Sequence, residues 1–276
     1  MVLDYAEGGD LNFWMNLNYG DFDWKNKLLV LLNIIIGLEE IHRKQMVHHD
    51  FHTGNILLNI KNLRHSSNSN NVRISDMGLC GEINNIDKTK IYGVMPYLAP
   101  EVLKGKPYTQ AADIYSFGMI MYFVVTGKQP FANCAHDEIL ALNICNGIRP
   151  EINEPEAPKC YIDLMKKCWD SNPDNRPSVA QMISLLNLFH SSYEFSRNKK
   201  TEKEQEIEKQ FQEAEEYRRS HPSFFDESRL LTTTHPQAIY KSRLLDAFTK
   251  DLPKYNDNID NNTVENFDLS EYMTCM

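Results

Sequence analysis

The sequence predicts a mainly α-helical domain with small β ribbons, followed by a helical and partly disordered tail. Three observations lead there. Residues 24–43 and 111–126 are apolar almost all round, the mark of buried helices. Two short β-prone runs, "NILLNI" and "NVRIS", flank the polar linker "KNLRHSSNSN", which reads as a small hairpin. Composition then changes near residue 192, where the charged, apolar-poor stretch "RNKKTEKEQEIEKQFQEAEEYRRSHP" begins.

Taken in order, Leu28, Leu32, Ile35, Ile36 and Ile41 carry the stripe of the first helix. The run "AADIYSFGMIMYFVVT" makes the second, and residues 137–146, 160–169 and 178–190 read as shorter helices. Ser178, after Pro177, is placed to cap the last of these. Beyond residue 192 helix propensity is high, but the apolar face holds only Ile207, Phe211 and Ala214. That predicts an exposed single helix. "THPQAIYKSRLLDAF" predicts a short docking helix, and the Asn- and Asp-rich last twenty residues predict disorder. The expected division is residues 1–191 for the domain and 192–276 for the extension.

Composition narrows the function classes. The chain has 276 residues, 42% of them hydrophobic, and a net charge of −9. Nucleic-acid or anionic-membrane binders carry a basic footprint, and this chain does not. No run of 18 apolar residues is present to span a bilayer. Asp4, Glu7 and Asp10 near the start are unlike a signal peptide. Six cysteines without a CxxC pair predict reduced thiols in a cytoplasmic or nuclear protein, not a disulfide framework or zinc site.

The chemistry-bearing residues are Asp50, Asn55 and Asp76. The first two lie in "VHHDFHTGNILL", a loop leaving the first buried helix. Asp76 follows the second short strand and precedes Met77 and Gly78, where the chain can turn sharply. A hairpin between Asn55 and Asp76 brings the strand ends together. Two carboxylates and an amide then converge on a hard, oxygen-rich site of the kind Mg²⁺ with phosphates requires.

These stretches resemble those of a protein kinase domain, specifically its C-terminal lobe with the hinge. "VHHDFHTGNILL" resembles the catalytic loop, and "ISDMG" the D-F-G segment. "GVMPYLAPEVL" resembles the end of the activation segment, with Ala99, Pro100 and Glu101 as A-P-E. "DIYSFG" and "CWDSNPDNRPS" resemble the large buried helix and the late Arg-containing loop. The wording is closest to tyrosine-kinase-like serine/threonine kinases. The resemblance implies ATP and Mg²⁺ as cofactors and a protein substrate. It implies that Asp50 accepts the substrate hydroxyl proton and that Asn55 and Asp76 hold Mg²⁺. Leu57 would floor the adenine pocket, with Leu3 at the gatekeeper position. Asp4 and Ala6 would pair with adenine through backbone groups, and Asp10 would reach the ribose or cap the following helix. Glu101 and Arg176 would form a buried ion pair. Asp113 would hold the backbone of the catalytic loop. His48, Met77 and Asp113 would form the base of a stacked column, and His42 reads as a surface residue.

Several positions depart from the family. His49 replaces the H-R-D arginine, so pairing with a phosphate at Thr89 or Tyr92 is not expected. Met77 replaces the D-F-G phenylalanine, and Val94 a threonine that hydrogen-bonds near the catalytic Asp. These 276 residues open at the hinge-like "VLDYAEGGDL" and contain no Gly-rich loop followed by a V-A-I-K lysine. The expectation is a shortened chain with impaired activity and a partner over its hinge-side surface. The competing readings are a non-catalytic, pseudokinase-like scaffold and a small-molecule kinase of the aminoglycoside or choline type. His52 raises the latter; "MPYLAPEVL", "DIYSFG" and "DNRPS" argue against it.

Overall fold

The computed structural model describes residues 6–59, 72–82, 90–152, 156–194, 200–221, 234–250 and 252. Strand β1 (Gly9–Asp10) leads into helix α1 (Leu11–Asn18), whose first turn is capped by Asp10 accepting from Phe13 N at 2.8 Å. Helix α2 (Trp24–Arg43) is capped the same way by Asp23, and its apolar residues are buried on nearly every side. Strand β2 (Met46–Val47) follows, then the loop holding Asp50 and strands β3 (Ile56–Leu58) and β4 (Val72–Ile74). The expected hairpin is present: β3 and β4 pair antiparallel, with Ile56 opposite Ile74. The "KNLRHSSNSN" linker lies outside the described residues.

Strand β5 (Gly81–Glu82) pairs back onto β2, and β6 (Tyr92–Gly93) enters the short helix α3 (Pro100–Leu103). Helices α4 (Gln110–Thr126), α5 (Glu138–Cys145), α6 (Lys159–Cys168) and α7 (Val179–Glu194) complete the core, matching the helices expected from the sequence. Ser178 caps α7 reciprocally with Gln181, at 3.3 and 2.7 Å. Helix α4 is buried around its whole circumference between the site-bearing loops and α6. Gly118 makes that possible, since a Cβ there would stand 2.8 Å from Cys168 Cβ. Gly127 ends α4 in the left-handed conformation, φ +67°, donating to Phe123 O.

The extension corrects two expectations. Helix α8 (Glu202–Ser220) is packed onto α7, with Ile207, Phe211 and Ala214 all buried. A thin apolar stripe suffices because Phe211 inserts among Trp24, Phe189 and Tyr193, at ring-centroid distances of 5.3–5.8 Å. The helix also reaches α2: Glu215 accepts from Trp24 N at 3.2 Å while bound by Arg218 and Arg219. A carboxylate thus sits on the positive end of α2. The segment "THPQAIYKSRLLDAF" docks, but largely without helix. It forms strand β7 (Arg243–Leu244), paired with β6, and only the single turn α9 (Asp246–Thr249). Among the described residues the β content is thus one three-stranded sheet, β1-β3-β4, and two ribbons, β2-β5 and β6-β7. The last of these could not be inferred from local pattern.

Candidate active site

Asp113, on the first turn of α4, organises the loop that carries Asp50. It is fully buried and accepts from His48 N at 2.9 Å and His49 N at 3.4 Å. His42 Nε2 approaches the same carboxylate at 2.8 Å. His42 is therefore a buried anchor, not a surface residue: α2 turns it inward toward α4. A spacing rule could have found it, since His42 sits one helical turn beyond Leu38 on the buried stripe. His48 is buried, and its Nε2 reaches Ser75 O at 3.0 Å, which ties the loop to the end of β4.

Asp50 is 3% exposed. Burial, the largest single influence, would raise its carboxyl pKa. His52, by hydrogen bonding and by charge, the Ser242 hydroxyl and the charge of His48 together outweigh this and hold it below the usual value. His52 Nε2 stands 3.5 Å from Oδ2, while Oδ1 is buried without a hydrogen-bond partner. Asn55 Nδ2 donates to Asp50 O at 2.9 Å, fixing both the loop and the amide. The backbone carbonyl of Asn55 accepts from Ser75 N and Oγ, at 2.8 and 3.1 Å. The hairpin thus brings Asp76 to the Asn55 end of the loop. Asp76 is exposed and left-handed, φ 56° and ψ 55°, a conformation uncommon outside glycine. An amide oxygen and an exposed carboxylate suit a hard cation. Among the described residues no cluster of three His, Cys, Asp or Glu side chains could hold a metal by itself.

The other residues singled out are placed as follows. Leu57 lies in β3 opposite Asp10, half-buried, and Asp10 caps α1. Ala6 O accepts from Gly9 N at 3.0 Å, within a turn. Asp4 and Leu3 lie outside the described residues, as does Thr89. Met77 is 46% exposed, with Cys80 Sγ 3.4 Å from its sulfur. Glu101 and Arg176 form a buried two-pronged pair at 2.7 and 2.8 Å. Arg176 also donates to Asp170 O and Ala111 O, both at 2.9 Å, and lies over the Tyr115 ring. His49 has φ 72° and stacks on Tyr108 at 4.6 Å; burial pushes its pKa down. Val94 is buried.

A second network borders Asp50. Tyr97 Oη donates to Gln129 Oε1 at 2.6 Å and meets Thr53 Oγ1 at 3.2 Å. Gln129 Nε2 joins Asn12 on α1 to the same hydroxyl group of Thr53. Ser116 fixes Tyr97 O at 2.7 Å. Tyr97 and Gln129 were not apparent from spacing, because their partners are 19 to 117 residues apart in the chain.

A sequence model described as protein tyrosine and serine/threonine kinase matches residues 1–186. "Probable serine/threonine-protein kinase roco8" of Dictyostelium discoideum is 32% identical over 201 residues, covering 70% of this chain and 10% of that protein. Serine/threonine-protein kinase STY17 of Arabidopsis thaliana is 26% identical over 188 residues, 68% of this chain and 31% of that protein. Dual specificity protein kinase pyk3 of Dictyostelium discoideum is 29% identical over 192 residues, 69% of this chain and 14% of that protein. The chain thus spans about a tenth to a third of the length of these curated relatives. With the family model matched across the helices and loops that build the site, this chain belongs to the protein tyrosine and serine/threonine kinase family.

Proposed function

We propose that this chain carries the acceptor side of an ATP- and Mg²⁺-dependent protein kinase acting on serine or threonine hydroxyls. The supporting observation is the Asp50 loop: a buried carboxylate held ionised, locked by Asn55 and braced by Asp113. Asp50 orients the hydroxyl of a protein substrate and takes its proton as the oxygen bonds to the γ-phosphorus of ATP, while the bond from that phosphorus to the β–γ bridging oxygen breaks and ADP leaves with that oxygen. Asn55 and Asp76 are the residues that would hold Mg²⁺, which supplies charge neutralisation at the phosphates. Leu57, Ala6 and Asp10, together with Asp4 by the resemblance alone, are the residues assigned to the nucleotide base and ribose.

The second reading is a non-catalytic binding module. It is favoured by the unpartnered Asp50 Oδ1 and by His49, whose Nε2 is also buried without a partner. One experiment separates the two: nucleotide binding by calorimetry beside phosphate transfer to casein. The enzyme reading expects binding in both wild type and Asp50→Ala, with transfer only in wild type. Binding without transfer in either protein supports the scaffold.

A further inference from the structure

We propose that residues 234–250 are the chain's own occupant of a peptide-docking surface, and that they compete there with an acceptor protein approaching the Asp50 loop. The docking stands on hydrogen bonds and burial; the competition rests on the phosphoryl-transfer reading above. These residues lie beyond the family-matched stretch 1–186, so the device belongs to the extension.

The segment is laid along the surface like a bound peptide and fastened at two ends. Its first half follows the loop between α4 and α5. His235 N donates to Ala132 O at 2.7 Å, His136 N to Gln237 O at 3.2 Å and Tyr240 Oη to Pro130 O at 2.9 Å. With Nε2 of His136 donating to Phe131 O, its Nδ1 accepts from Ile239 N at 3.0 Å, and the Tyr240 ring meets the imidazole edge-on at 4.8 Å. Arg243 donates to His136 O at 2.6 Å. The second half pairs with β6, with Tyr92 opposite Leu244. Leu245 N donates to Ile91 O at 2.8 Å, and Ile91 N donates to the Asp246 carboxylate at 2.9 Å. Within residues 234–250 only Leu245 is buried, while Ile239 and Leu244 are exposed. Backbone pairing at a strand edge plus one pocketed side chain is how an added peptide is held, not how a core is built.

The two fastening points are the stretches that converge on the Asp50 loop. Pro130 follows Gln129, and β6 runs on toward Tyr97. Gln129 and Tyr97 bond to each other and to Thr53. Between Thr53 and Asp50 lies His52, with its ring 6.0 Å from that of Tyr97 and Nε2 3.5 Å from Asp50 Oδ2. The other sides of this loop are taken. Asp113 of α4 backs it, Ser75 closes it through His48 and Asn55, and the Asn55–Asp76 side is the one assigned to metal and nucleotide. An acceptor therefore comes in on the side of His52, Thr53 and Tyr97, which the segment borders from both ends.

The partner this surface fits is an extended peptide with a tyrosine, and five positions later a leucine followed by an acidic residue, as Tyr240, Leu245 and Asp246 provide in cis. A tethered occupant lowers the fraction of molecules open to an outside protein, and apparent affinity for that protein falls by the same fraction.

Two measurements on the full 276-residue chain test this. The first needs no nucleotide: a fluorescent peptide of residues 234–250 is titrated into the wild type and into Leu245→Asp. The variant should bind it about tenfold or more tightly than the wild type, whose surface is already filled. Tyr240→Phe combined with Asp246→Ala keeps Leu245 in place and should bind with intermediate affinity. No gain over the wild type in either variant overturns the inference, as does equal binding of a peptide that itself carries Leu245→Asp. The second measurement is casein labelling from Mg²⁺-ATP. Both variants should lower the KM for casein, Leu245→Asp by about fivefold or more, with the KM for ATP unchanged. Added peptide should restore it by competing with casein and not with ATP. Casein labelled with one KM by all three proteins overturns the competition and leaves the kinase reading standing. No labelling by any of them overturns the kinase reading and the competition with it, and the peptide titration alone then decides the docking surface.

Discussion

Asp50 is a carboxylate whose burial should favour its protonated form, yet His52, Ser242 and His48 keep it charged. Because its folded pKa lies below its unfolded value, the stability it contributes is present above about pH 4 and lost as pH falls through the folded value. Phosphate transfer should follow the same limb: a pH–rate profile should be flat through neutrality on the acid side and fall only below about pH 4. A fall already complete at pH 6 would mean that another group titrates. Arg176 and Glu101 give the second residue-scale prediction. Arg176→Met leaves Glu101 buried without its partner and should cost about 3–5 kcal/mol in chemical denaturation. The local motifs named Asp50, Asn55, Asp76, Glu101, Asp113 and Arg176, because each sits in a short stretch of distinctive wording. His42 and Tyr97 stayed hidden, because their roles depend on partners far away in the chain.

Among the elements, α2 and α8 show how an extension is built into a core. Helix α2 was legible from its apolar residues alone, and its cap Asp23 confirms where it starts. The docking of α8 was not legible, because three apolar residues on a charged helix look like a solvated face until Trp24, Phe189 and Tyr193 are gathered beneath them. Phe211→Ala should lower stability by about 3–5 kcal/mol and expose α8 to limited proteolysis. Lys27 lies in the same region, 1% exposed, with Nζ 3.3 Å from Val125 O and over the Tyr19 and Trp24 rings. Burial, reinforced by Arg218, lowers its pKa to about 7. Between that value and its unfolded value near 10.5, the unfolded chain binds more protons. Stability should therefore rise with pH across this window, by up to about 1.4 kcal/mol per unit from this group. The wild-type minus Lys27→Met difference in denaturation free energy should carry that slope, and a difference independent of pH would refute it.

At the scale of the whole molecule, β6 and β7 join the middle of the family-matched region to residues about 150 positions further along, beyond its end. Sequence pattern cannot supply such a pairing: a two-residue strand has no periodicity to read, and its register is set by Leu245, Tyr240 and Asp246 finding their sites. Leu245→Asp should release this segment and speed amide exchange in β6 while leaving that of α4, deep in the core, unchanged. Equal protection of β6 in both proteins would show that the ribbon stands without its β7 anchor. The central claim is that Asp50 serves as the base of a phosphoryl transfer to a protein hydroxyl. Its most direct measurement is transfer of labelled γ-phosphate from Mg²⁺-ATP to protein serine by the wild type and by Asp50→Asn, a replacement of equal size. The account predicts incorporation by the wild type and a loss of about 100-fold or more in the variant. Equal incorporation by the two proteins, or none by the wild type while it binds the nucleotide, would contradict it.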